Sequence, residues 1–394
     1  QRRQSILRRV SATSLKKYGT ASEAVQLQYE QPPVHFRTIE NNPMNHTAQH
    51  QGRFYNMPIE TSKKLFTAGG LPKKFQTQVK TFNECSLLVR SPALEIISYL
   101  QNTDYSKPAT RYVLCILFQF GPIGCGKSIS LAHVVHYGFE ARKIIIHVPW
   151  ANNWFKRPKE VANSISKEGF LDLPIDAASW LIHFKNQNIH LLSQLDLKLG
   201  KDYQWSQREI SSRGTPLLEM IELGINRIKY ASEIINAIME QLKEASTAGK
   251  CNTLVVIDGF NAFFSDYTNV KDDNKVRMPA EKISLTAAFK NITKYDWCNG
   301  SIVLSVDPLA VKDRTESHLP RYQLGNSGFE HLDPFIPISV EPYSDAEFKN
   351  VIDYYKDRKW IRDIDEDGVH ELKLLSAKNP FKLMNLCLLS STTS

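Results

Sequence analysis

The chain has 394 residues, 42% of them hydrophobic, which allows a substantial core and two or three domains or one large core with appendages. It has no run of the ~18 apolar residues that a membrane-spanning helix needs, so no span is expected. The net charge of +8 and isoelectric point near 9.0 suit a polyanionic partner, and six scattered cysteines without C-x-x-C spacing read as reduced thiols from an unoxidised compartment.

The first acidic residue is Glu23; before it Arg2, Arg3, Arg8, Arg9, Lys16 and Lys17 alternate with Ser, Thr, Ala, Ile and Leu. That is the composition of a mitochondrial targeting segment, with a basic RNA-binding tail as the alternative. Residues 1–50 are therefore read as a transit-peptide-like segment and an extended arm. Pro32, Pro33 and Pro43 break its later part, and His35, His46 and His50 lack metal-ligand spacing. Residues 51–108 read as a helical segment, with helical patterns from Leu65 to Gln101 that include Leu87-Leu88-Val89. Ser91 serves as a helix cap before Pro92.

Residues 109–340 carry the chemistry. An apolar run, Tyr112–Phe118, predicts a strand buried on both faces. It is followed by the loop Gly121, Pro122, Ile123, Gly124, Cys125, Gly126, Lys127, Ser128, which meets the G-x-x-x-x-G-K-[ST] pattern and leads through Ile129 into a helix over Ser128–Phe139. Glycines let successive N–H groups turn inward around an anion, and the helix N-terminus adds positive potential. The lysine reaches the β- and γ-phosphates, and the serine ligates Mg²⁺. A strand over Lys143–Pro149 completes the strand–loop–helix–strand unit of an α/β P-loop NTPase with a parallel, AAA+-like sheet. The run Ile116–Phe120 is long for a strand that ends at the loop and predicts a bulge or an early strand.

Residues 150–250 are long for one crossover and hold helices over Ala177–Phe184 and Pro216–Ala245; the apolar stripe of the second, with Leu217, Met220, Ile221, Ile234, Ile235 and Ile238 at helical spacing, reads as core, and the insertion between reads as an accessory helical surface. Thr253–Ile257 is a buried strand ending in Asp258, placed to complete a magnesium site with Ser128. Gly259 stands where related ATPases carry a glutamate base, so any hydrolysis is expected to be slow, with Asn261 a possible water-positioning residue. The strand Ser301–Val306 brings Ser305 and Asp307 to the position of a γ-phosphate sensor. A last strand over Pro334–Val340 precedes a helical lid, residues 341–394, with helices over Asp345–Tyr355, Val369–Ala377 and Pro380–Leu389. Lys382 reads as a solvated surface residue. Asn274-Lys275-Val276-Arg277 lacks the aspartate of the guanine-reading motif, so the base cannot be read by that route.

The blocks "HQGRFYNMP", "LPKKFQTQVKTFNE", "RSPALEIISYL", "VVIDGFNA", "GFEHLDPFIPISV" and "NPFKLMNLC", in this order around the loop, resemble the death-associated protein 3 family of the mitochondrial ribosome's small subunit. The resemblance covers most of the chain from about His50 onward. It implies a protein of the mitochondrial matrix in the head of the small subunit that supports mitochondrial translation. Small-subunit rRNA and neighbouring ribosomal proteins would be its partners, with large-subunit contacts across the interface and a connection with apoptosis. It also implies a bound purine nucleotide, GTP or GDP with ATP as the alternative, and Mg²⁺ on Ser128 and Asp258. A ligand bound by the folded state alone stabilises it by about 4 kcal/mol at 1,000-fold excess over Kd, so such a nucleotide needs no catalytic base. The competing readings are an NTPase switch in subunit assembly and a pro-apoptotic signalling adaptor.

Overall fold

Strands without a polar face need cover on both sides, and the helices on either side of the central sheet supply it. The computed structural model describes residues 35–115, 123–311, 317, 319–361 and 364–392. The N-terminal stretch expected as a targeting segment, the run Ile116–Phe120, and Gly121 and Pro122 lie outside the described residues.

The segment expected as a free arm is packed from His35 onward. Phe36 is buried with its ring edge on Tyr354, and buried His46 places Nδ1 2.9 Å from Nε2 of His133. Two strands follow, β1 (Phe54–Met57) and β2 (Cys85–Leu88), paired antiparallel with Met57 opposite Cys85. They flank α1 (Ile59–Leu65) and α2 (Lys73–Phe82). Leu87 and Leu88, expected in a helix, are therefore strand: all four residues of β2 are buried, and so short a buried run carries no period that separates helix from strand. In α3 (Ser91–Asn102) Pro92 occupies the first turn, where its missing N–H is no loss, and Arg90 rather than Ser91 is the capping residue.

The strand β3 (Thr110–Cys115) leads to α4 (Lys127–Glu140), β4 (Ile144–Val148) and the short α5 (Asn152–Lys156). The long connection that follows contains two small hairpins, β5 (Ala162–Asn163) with β6 (Leu171–Asp172) and β7 (Tyr203–Gln204) with β8 (Ile210–Ser211). It also contains three helices, α6 (Pro174–Leu192), α7 (Leu217–Asn226) and α8 (Ala231–Thr247). The stripe expected as one helix over Pro216–Ala245 is broken at Arg227 (φ −120°, ψ 73°), and a 3₁₀ turn at Ile228–Tyr230 redirects the chain. Both halves then pack on α6, which one straight rod would not allow. The stripe expected to face the core does so, with Met220, Ile234 and Ile238 buried in the main cluster, and Trp180 and Phe184 of α6 are buried there with them.

After β9 (Thr253–Ile257) come α9 (Ser284–Ile292), β10 (Gly300–Ser305), α10 (Pro320–Leu332, bent at Gly325) and β11 (Ile336–Ser339). Five strands pair in parallel in the order β11-β3-β10-β9-β4, with Val303 of β10 between Tyr112 and Val256. Successive residues face opposite layers. Ile144, Ile146, Val148, Val255 and Ile257 meet the α6–α9 side, whereas Ile145, Leu254, Val256 and Val303 meet the side of α3 and α4. Pro337 lies in an edge strand, where a missing donor is tolerated.

The chain ends in α11 (Asp345–Asp357), α12 (Glu366–Ser376) and α13 (Pro380–Thr392). A capping box between Ser344 and Glu347 starts α11, and Asp365 caps α12. These helices close a third apolar cluster with the β1–β2 hairpin, in which Tyr354 stacks on Phe54 at 4.2 Å.

Several buried histidines tie these layers together. Burial pushes His136, on α4, down to about 4, and His183, on α6, to about the same value, while His133 and His147 are held well below the usual range by the same cause. The unfolded chain, with an ordinary value of 6.5, takes up more protons on acidification than the folded one. The contributions of His136 and His183 are therefore whole above pH 6.5 and are lost as the pH falls toward 4. For His136 the loss at pH 5 is about 2 kcal/mol. In thermal melts between pH 7 and pH 5, His136→Gln is expected to lose Tm less steeply than the wild type; parallel slopes would contradict this.

Candidate nucleotide site

The phosphate loop joins β3, a central strand, to α4. Gly124 (φ +94°) and Gly126 (φ +103°) lie in the left-handed region, which side chains disfavour, and a Cβ on Gly124 would fall 2.5 Å from Cβ of Phe381. Gly126 caps α4, so Lys127, Ser128 and Ile129 form its first turn and their N–H groups belong to the helix's positive end. Ile123 is exposed and Cys125 buried.

The strand order brings the acidic residues to this loop. Ser128 Oγ donates to Asp258 Oδ2 at 2.5 Å, across the tip of β10, which lies between β3 and β9. Ser305, at the end of β10, donates to the other oxygen, Asp258 Oδ1, and its own Oγ accepts from the Gly259 N–H at 2.9 Å. Burial pushes the Asp258 carboxyl up to about 6 against the opposing pull of the two hydroxyls. A serine hydroxyl and a carboxylate in contact at a helix N-terminus fit a hard cation such as Mg²⁺, whose charge would favour the ionised acid.

Asp307 lies beyond the same strand tip, with Oδ2 2.9 Å from Nζ of Lys127. The two residues expected as γ-phosphate sensors are thus divided: Ser305 serves Asp258, and Asp307 serves the loop lysine. Asn261, expected as a possible water-positioning residue, has both amide atoms on the Asp307 main chain. It is fully buried, accepting from the Asp307 N–H at 3.1 Å and donating to the Asp307 carbonyl at 2.9 Å.

Sequence reasoning missed Arg90 and underread Asn379 and Phe381. Arg90 is buried just before α3 and donates to the Cys125 carbonyl at 2.7 Å, to the Glu341 carbonyl at 2.8 Å and to Glu347 Oε1 at 3.2 Å. Asn379 Nδ2 donates to the Ile123 carbonyl at 3.1 Å, and the Phe381 N–H to the Gly124 carbonyl at 3.2 Å. Asn379-Pro380 was legible as a helix start, but its second role toward the loop leaves no local mark. Lys382 is exposed, as expected of a solvated lysine.

Between the loop, the hairpin and α13 lies a cavity of about 150 Å³, walled by Phe54, Phe75, Leu88, Tyr343, Tyr355 and Met384, with Arg90 and Gly124–Ile129 along its rim. The loop and the start of α4 thus adjoin a largely apolar space lined by aromatic rings.

This sheet order, with a loop of this sequence after a central strand and an acid at the tip of the strand next but one, defines a P-loop α/β fold of the AAA+ type. The chain belongs to the mitochondrial ribosomal death-associated protein 3 family, which residues 87–386 match. It is 39% identical over 356 residues to small ribosomal subunit protein mS29 of Bos taurus, covering 89% of this chain and 87% of that one. It is 37% identical over 372 residues to the Mus musculus protein of the same name, covering 93% of each. Among solved structures, a Walker-type ATPase of Pyrococcus abyssi matches at TM-score 0.36 and 12% identity, over 75% of this chain and 65% of that one. The ORC2 protein of Aeropyrum pernix matches at TM-score 0.31 and 14% identity, over 75% of this chain and 59% of that one. Among the described residues no helix is long and apolar enough to cross a membrane.

Removing one partner of a buried ion pair strands the other. Arg90→Ala is expected to cost about 3–5 kcal/mol in urea unfolding. The double variant Arg90→Met, Glu347→Leu, which removes both charges, is expected to recover part of that. A loss below about 1 kcal/mol for Arg90→Ala would show that the arginine does not hold the loop to the C-terminal segment.

Proposed function

We propose that this chain is a structural, nucleotide-holding component of the mitochondrial small ribosomal subunit, residing in the matrix and supporting mitochondrial translation. Family membership supports the ribosomal assignment. The contact of Ser128 with Asp258 beside Lys127 supports a bound purine nucleotide with Mg²⁺. GTP or GDP is the expected ligand and ATP the alternative.

The observation that favours holding over turnover is Gly259. Its φ is +73°, and a Cβ there would meet Trp150 at 3.0 Å and Ala310 at 3.3 Å. The positive φ and these contacts disfavour a side chain where a catalytic glutamate would stand, and a missing general base lowers a rate by about 10²–10⁴. When bound, Mg²⁺ would neutralise phosphate charge; Lys127 would contact the phosphates, Gly124–Ser128 would enclose them, and the aromatic cavity would receive the base. The basic surface would meet rRNA phosphates without reading sequence, alongside neighbouring ribosomal proteins and the large subunit across the interface.

Sucrose-gradient fractionation of a mitochondrial lysate tests the assignment. The chain is expected to travel with the small subunit, and the purified peak to yield a purine nucleotide upon extraction. Lys127→Ala is expected to deplete that nucleotide and lower the melting temperature. Recovery at the top of the gradient would overturn the ribosomal reading; a peak without nucleotide, the ligand reading.

A further inference from the structure

The loop lysine faces a fixed negative charge. Asp307 Oδ2 lies 2.9 Å from Lys127 Nζ, and both side chains are largely buried, at 13% and 7% exposure. The carboxylate is not free to swing aside. Its Oδ1 accepts from the Leu309 N–H at 2.9 Å, and Asn261 clasps the Asp307 main chain from both sides. Asp258 sits close enough to feel both partners. Two carboxylates therefore stand beside the ammonium that must serve the outermost phosphates.

We propose that Asp307 is a specificity residue that disfavours the terminal phosphate of a triphosphate, so that the site selects a nucleoside diphosphate. The inference rests on the nucleotide reading above. A diphosphate brings its charge to the glycine N–H groups and the start of α4, and its β-phosphate shares Lys127 with Asp307 without a further phosphate facing the carboxylate. A triphosphate adds a further negative charge at the end Lys127 reaches, next to a carboxylate that cannot retreat. In a site this enclosed, one such unfavourable pair changes affinity by about tenfold to hundredfold. Mg²⁺ on Ser128 and Asp258 moderates the repulsion without removing Asp307.

Isothermal titration of the full chain at saturating Mg²⁺ tests this with GDP against a non-hydrolysable GTP analogue and ADP against a non-hydrolysable ATP analogue, since the base is not specified. Within the preferred base, the wild type is expected to bind the diphosphate at least about tenfold more tightly. Asp307→Asn, which keeps shape and loses charge, is expected to bring the two affinities together by strengthening the triphosphate. Asp307→Ser serves the same comparison if the first variant does not fold, and the wild-type ratio is informative without either. Equal affinities in the wild type, or a ratio unchanged in a folded Asp307 variant, would overturn the inference while leaving nucleotide binding intact. If the wild type binds none of these ligands, the nucleotide reading fails first.

Discussion

An anion-binding loop turns its N–H groups inward, so its carbonyls face outward and need donors of their own. Here three consecutive carbonyls find them: Ile123 from the Asn379 side chain, Gly124 from the Phe381 N–H and Cys125 from Arg90. Two of the donors come from the start of α13 and the third from the residue before α3. The loop is thereby the meeting point of the sheet, the N-terminal hairpin region and the C-terminal helices. Arg90 extends the same junction to β11 and α11 through Glu341 and Glu347. A nucleotide seated there would touch every layer at once, which is the geometry a stabilising ligand needs.

The acids at the strand tips are organised with equal economy. Asp258 draws in hydroxyls from the loop and from β10, Asp307 draws in the loop lysine, and Asn261 holds Asp307 in place. Gly259 occupies a left-handed turn, disfavoured for a side chain, with Trp150 and Ala310 packed tightly against it. On the proposed reading, the absence of an acidic side chain at Gly259 suits a held nucleotide rather than phosphate transfer.

Much of this was legible in the sequence because the chemistry constrains residue types. A phosphate loop requires glycines, lysine and serine in fixed spacing, and a double-covered sheet requires strands like Ile144–Val148 and Thr253–Ile257 with no polar face. The parts that were not legible depend on distant partners. Arg90 resembles any other basic residue until the Cys125 carbonyl and Glu347 come within reach. Leu87-Leu88 become strand only because Phe54–Met57 lies alongside. The apolar stripe around Arg227 reads as one helix until α6 is there for both halves to pack on. The segment around His46 reads as a polar arm because its anchoring partner, His133, lies on α4.

Hydrogen exchange of the full chain with and without GDP and Mg²⁺ tests most directly whether the loop integrates the fold. If a bound nucleotide braces all three layers, amide protection is expected to rise together across Gly124–Ser130, Phe54–Met57 and Pro380–Leu388, by a similar factor in each. A rise confined to the loop, with the hairpin and α13 exchanging as before, would contradict the account.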